Sequence, residues 1–225
     1  MTYILNLETS TKNCSVSLAK NGEVLVLKEI AEQGYSHAEK LHVFIQEVVA
    51  QANITLQDLH AIAVGKGPGS YTGLRIGVSA AKGLSYALNI PLIATDTLLV
   101  LAKKAVVSNG LIVPMLDARR MEVYNAVYNP EFELIRPIQA EVITEVSFQE
   151  FNQEIYLLGD GALKCQPLLT DARFHFIPEI QYPSAEEMAM ISFESYKTSD
   201  TVDVAYFEPF YLKDFVLGGT HKPTT

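Results

Sequence analysis

The stretch LIVPMLDARRMEVYNAVYN (residues 111–129) repeats the pattern of TYILNLETSTKNCSVSLAK (residues 2–20). Each is an apolar run that ends in an acid, Asp117 or Glu8, then a short polar turn, then a return strand. In the first copy NGE (21–23) signals a hairpin into a third strand, EVLVLKEI. In the second copy ELIRPIQAEVIT supplies the third extended segment, and helical segments follow in both. The pattern predicts two related β-β-β-α units in tandem, a duplicated α/β architecture with a cleft between the halves. Two hairpins alike by chance are the competing reading.

The boundaries expected from this are a first half over 1–101, a second over 102–200, and an aromatic C-terminal tail over 201–225, loose at its end. In SHAEKLHVFIQEVVAQAN, Ser36 and Glu39 form a capping box, and Leu41, Phe44, Ile45, Val48 and Ala52 follow at helical spacing. Thr55 and Asp58 repeat the capping pattern before a short turn. AIAVG (61–65) is a buried strand. A helix runs from about Thr72 to Leu88, stopped by Asn89 and Pro91. EIYLLGDGA reads as a strand entering a helix at 161–169, and SAEEMAMISFESYK as a helix capped by Ser184 and Glu187.

The 225 residues are 48% hydrophobic and 19% charged, which is ordinary for a globular chain with a real core. The net charge of −9 disfavours stand-alone binding to nucleic acid, which relies on Lys and Arg neutralising phosphates. Cys14 and Cys165 lie far apart and form no CxxC pair, so neither a disulfide framework nor a cysteine zinc site follows. The N-terminus has no basic segment ahead of its apolar run, and no stretch reaches the length of a membrane span. A cytoplasmic protein with reduced thiols is expected.

The stretch GKGPGSYTGLRIGVSAAKG (65–83) looks at first like a phosphate loop. A P-loop needs Lys after its last Gly, whereas Leu74 follows Gly73. Gly67, Gly69 and Gly73 are one residue too widely spaced for a dinucleotide fingerprint. A general anion site at a helix N-terminus survives. On the following helix Gly73, Gly77, Ala80, Ala81 and Leu84 share a face almost without side chains. Glycine inside a helix costs up to about 1 kcal/mol against alanine, so close approach of another backbone is expected. That backbone is either the chain's own sheet or a second chain.

Catalytic motifs are absent from the sequence. His37 and His42 are five apart on one helix, which splays their rings too far to share an ion. H-E-x-x-H and G-x-S-x-G do not occur. The turns after Glu8 and Asp117 offer Thr9, Ser10, Thr11 and Lys12 on one side and Arg119 and Arg120 on the other. They could clamp a polyphosphate across a cleft, yet neither carries the glycine a phosphate-wrapping backbone favours. Solvated or interdomain turns are the preferred reading. A stand-alone phosphotransferase and, further off, a peptidase are the rivals.

Taken together, ILNLETSTKNCSVSL, SHAEKLH, GKGPGSYTGLRIGVSAAKGLSYAL, MLDARRMEVYNAVY and EPFYLKDF resemble the bacterial TsaB (YeaZ) family. The resemblance implies a duplicated actin-like/Hsp70-like, ribonuclease H-like fold. It implies a cytoplasmic, non-catalytic subunit that activates a TsaD-type paralogue in forming threonylcarbamoyladenosine beside the tRNA anticodon. It also implies a TsaE-type ATPase in the complex, a homodimer when the partner is absent, and tRNA contact only through the complex. The TsaD-type H-x-x-x-H metal motif is missing, since Leu41 stands where the mate of His37 would be. No cofactor or metal of its own is expected, with ATP or ADP at most at the joint interface. The partner face implied is Gly73, Leu74, Gly77, Ala80, Ala81 and Leu84 with His37 and Leu41. Glu8, Thr9, Ser10, Thr11, Asp117 and Arg119 remain candidate nucleotide or anion contacts.

Overall fold

A computed structural model describes residues 1–31 and 37–213. Two five-stranded sheets carry the fold. The first is built from β1 (Tyr3–Glu8), β2 (Asn13–Lys20), β3 (Glu23–Ala31), β4 (Ala61–Gly65) and β5 (Leu92–Thr95), in the order β3-β2-β1-β4-β5. The second is built from β6 (Leu111–Asp117), β7 (Glu122–Tyr128), β8 (Leu134–Val142), β9 (Ile155–Leu158) and β10 (Phe174–Ile177). Read in the same sense, its order is β8-β7-β6-β9-β10. In each sheet the first three strands are antiparallel and the last two join in parallel. One ribonuclease H-like topology therefore occurs twice, as the repeated hairpins predict.

Alternation along the strands sends side chains to two different cores. Leu5, Leu7, Val16, Leu18, Ile62 and Val64 face outward onto α1 (His37–Gln51) and α2 (Tyr71–Leu88). Ile4, Ala61, Ala63 and Ile93 face inward onto α4 (Ala185–Thr198) and onto Val100 of α3 (Thr97–Ala102). Leu98, Leu101 and Ala102 of α3 pack instead against Ile112, Leu116, Ala126, Tyr128 and Leu158 of the second sheet. The two short connecting helices thus lie between the sheets. The outer face of the second sheet is covered by Ile143, Phe148, Phe151, Cys165 and Leu169 from irregular segments.

Helix ends follow local chemistry. Ser70 caps α2 by accepting from the Gly73 N–H, and Asn89 closes it in the left-handed conformation. Ser184 caps α4 through the Glu186 N–H. Asp58 Oδ2 accepts from both the N–H and the hydroxyl of Thr55 at 2.8 Å, closing the short 3₁₀ turn Leu56–Asp58. The cap expected at Ser36 lies outside the described residues.

Three expectations are corrected. The helix expected over 161–169 is a single 3₁₀ turn, Leu163–Cys165, because Pro167 has no N–H to continue the ladder. The boundary near 101 does not separate the packing units: α3 serves the second sheet, and α4, expected with the second half, covers the first. The tail aromatics, expected to pack between the halves, do not: Val202 pairs with Leu92 on the β5 edge, Phe207 packs partly buried against the first core, and Tyr206 and Phe210 are exposed.

A polar seam holds α4 to the first hairpin. Buried Asn6 donates to Ser17 Oγ at 3.1 Å and accepts from Ser192 Oγ at 2.6 Å. Ser17 donates to the Ala185 carbonyl at 2.6 Å. Asn6→Ala removes the bonds to Ser17 and Ser192, leaves the Ser192 hydroxyl only the Ala189 carbonyl at 3.1 Å, and opens a void, and should cost about 2–4 kcal/mol. A urea melt that moves by much less would show the seam to be dispensable.

Candidate functional site

The first hairpin turn is clamped by the two outer helices. Thr9 Oγ1 donates to the Gly73 carbonyl at 2.8 Å, and Ser70 N–H donates to the Ser10 carbonyl at 2.6 Å. His37, the first residue of α1, pairs through Nε2 with the Thr11 carbonyl at 2.7 Å. A methyl group at Gly73 would run into the Thr9 carbonyl, and one at Gly77 into Thr9 Oγ1. The backbone that approaches these glycines is therefore the chain's own turn. Gly73, Leu74, Gly77 and Ala81 are buried under it or in the core, as are His37 and Leu41. These six cannot form the partner face expected of them while the fold is intact.

Ala80 and Leu84 do reach the surface. With Ala38 and His42 of α1 and Arg75, Ile76, Ser79 and Gly83 of α2, they line a groove of about 620 Å³. Sequence reasoning missed Ile76, Ser79 and Gly83. The open stripe is the 76/80/83/84 row, rotated away from the 73/77/81 row that faces inward. Nothing lies within 4 Å of a Cβ placed on Gly83. It is this glycine, not Gly73 or Gly77, whose helical cost the fold leaves unexplained.

The cleft residues do not assemble into one ligand shell. Glu8, Thr9, Ser10 and Thr11 are all buried. Glu8 Oε1 accepts from the Ser10 N–H at 2.6 Å, while Oε2 lies against Gly65 with no hydrogen-bond partner among the described residues. Burial pushes the Glu8 carboxyl above the ordinary carboxylate range, against the hydrogen bonds from Ser10 and Thr9. The Cys14 thiol is pushed to about 11 by burial and then by the Glu8 charge.

Across the cleft, Asp117 and Arg119 are exposed. Asp117 pairs with Lys164 and accepts from the Arg119 N–H at 2.9 Å; its own N–H donates to Asp160 Oδ1 at 2.9 Å. Burial raises Asp160, and Lys12 from the opposite turn opposes that rise. The two turns face one another, with Glu8, Thr9, Ser10 and Thr11 buried and Asp117 already paired with Lys164, so these acids and hydroxyls form no open cradle for a polyphosphate. No cluster of three or more His, Cys, Asp or Glu among the described residues could hold a metal ion, and no helix is long and apolar enough to cross a membrane.

Two ribonuclease H-like sheets with helices between them define an actin-like α/β protein. Residues 26–214 match the family model described as "TsaD: tRNA N6-adenosine threonylcarbamoyltransferase". The chain is 30% identical to the tRNA threonylcarbamoyladenosine biosynthesis protein TsaB of Escherichia coli, over 95% of each. It is 29% identical to that of Bacillus subtilis, over 93% of each. YeaZ from Pseudomonas aeruginosa superposes with a TM-score of 0.82 at 26% identity, covering 94% of this chain and 100% of that one. The chain belongs to the TsaB (YeaZ) family.

Two measurements check this geometry. Gly73→Ala and Gly77→Ala should each lower stability by about 1–3 kcal/mol through overpacking against Thr9. Gly83→Ala should instead raise it, by up to about 1 kcal/mol. Thermal melts giving the same sign at all three positions would contradict it. For Glu8, the folded carboxyl titrates above its unfolded value near 4.5, so folding favours the protonated form. Stability should fall as pH rises above that value and level off beyond the folded pKa. Glu8→Gln should remove this slope, and a wild-type-minus-variant difference that is flat with pH would refute the assignment.

Proposed function

We propose that this chain is the non-catalytic, cytoplasmic subunit that docks on and activates a TsaD-type threonylcarbamoyltransferase. It is a tRNA threonylcarbamoyladenosine biosynthesis protein, as its TsaB relatives are named. The observation that carries the accessory role is the contrast between its two concave features. On the cleft the first turn is buried and Asp117 is paired with Lys164, whereas the α1/α2 groove is open and lined mostly by small and apolar side chains.

The occupant of that groove is the matching helix pair of the paralogue. A chain similar to the TsaD model over 26–214 has a partner of like fold, and two like folds pair most simply through equivalent surfaces. The same argument allows two copies of this chain to pair when the paralogue is absent. Docking would bias the catalytic subunit toward its competent state by the difference in affinity for the two states. tRNA and a TsaE-type ATPase are met through the complex, and any ATP or ADP sits at the joint face rather than in this chain's cleft.

Ala80→Glu places a charge at the partly buried floor of the groove, and Gly83→Leu places a bulky side chain where the groove is open. Each should abolish co-elution with the TsaD-type subunit, and modification of tRNA with it, while leaving the melting temperature near wild type. Retained co-elution in both would place the docking face elsewhere. Mg-ATP turnover by the isolated chain that disappears in Asp117→Ala would favour the phosphotransferase reading instead.

A further inference from the structure

Residues 203–213 leave the β5 edge and run without regular secondary structure across α2 to the second half. They hold the first half by Val204 and Phe207, partly buried against its core, and by a set of polar contacts. Lys82 Nζ of α2 donates to the Ala205 and Phe207 carbonyls at 3.1 and 2.9 Å. The Phe210 N–H donates to the Lys66 carbonyl at 2.7 Å. Arg75 Nε donates to Tyr211 Oη at 3.2 Å, with its guanidinium 4.1 Å above the Tyr71 ring, itself 5.0 Å from the Tyr211 ring. At the far end Lys213 pairs with Glu122 at the start of β7, so the segment spans both halves.

The fit beneath this segment is incomplete. A cavity of about 290 Å³ remains between it and α2, walled by Arg75, Ser79, Lys82, Phe207, Glu208 and Tyr211 among others. Tyr206 is 85% exposed and Phe210 39%, so of the four aromatics only Phe207 and Tyr211 commit part of their surface. A segment with few buried apolar contacts opens at low cost. Arg75 and Ser79 also line the docking groove on the other side of the same helix turn.

Resting on the docking reading above, we propose that residues 203–213 are a latch across the two halves, released when a carboxylate of the docked subunit takes the Arg75 guanidinium from Tyr211. A carboxylate that pairs side-on with Nε and one terminal nitrogen of Arg75 takes the Nε–H that Tyr211 now accepts, and such a charge-assisted bidentate pair outcompetes one bond to a phenol. Docking and latch closure therefore oppose one another, and by reciprocity loosening the latch tightens docking. The groove in this way reports to the interdomain cleft through a single side chain.

Hydrogen exchange of the full chain, with and without the TsaD-type subunit, tests this. The Phe207 and Phe210 amides, bonded to the Asp203 and Lys66 carbonyls in the closed latch, should exchange about five-fold faster or more in the complex. Tyr211→Phe, which keeps the ring and removes the acceptor, should bind the subunit several-fold more tightly. Unchanged or slower exchange at both amides, or unaltered affinity in Tyr211→Phe, overturns the latch. Ala80→Glu separates the two ideas. If it still binds at wild-type strength, the docking face fails and the latch loses its trigger. If it loses binding while exchange in the wild-type complex stays unchanged, the latch alone fails.

Discussion

The contact between Thr9 and the Gly73–Gly77 edge of α2 is the constraint from which most of the molecule's organisation follows. The turn after β1 must pass between the N-termini of two helices, and only glycine on the facing edge leaves room. That passage fixes α2 against β1 and fixes α1 through His37 and Thr11. It also seals Glu8, since the Ser10 N–H turns back onto the carboxylate and Gly65 closes over it. A first turn locked in this way is not free to wrap a ligand.

The division of α2 into two edges then separates stability from recognition. The inner edge is spent on the turn and the core, and changes there disturb folding. The outer edge, from Ile76 to Leu84, has no partner within the described residues beyond α1. Arg75 stands at the junction of this edge with the C-terminal segment, which gives one residue two surroundings. In the cleft, Glu8 is buried and Asp117 is held by Lys164.

Much of the fold was legible because it is written twice. Glu8 and Asp117 end equivalent strands, and the period-2 runs on either side gave the hairpins directly. Helix α2 was legible from about Thr72 to its stop at Asn89, because that stop is local chemistry; the cap at Ser70 was not read. β10 and the crossing of α3 and α4 between the sheets were not, since they depend on long-range packing that no window of sequence contains. The site was half legible. A helical wheel shows that Gly73, Gly77 and Ala80 are small, but not whether a neighbour is the chain's own turn or another protein. Nothing in the sequence set Ile76 or Gly83 apart, and only the backbone of the first turn shows which edge of α2 is filled.

The second sheet repeats the first in strand order but not in its cladding. Its outer face is covered by loops and a 3₁₀ turn where the first sheet has α1 and α2. A duplicated molecule with helical flanks on both lobes could add subunits end over end into a filament. With a single such flank, pairing through it as proposed above would close at two molecules instead of running on.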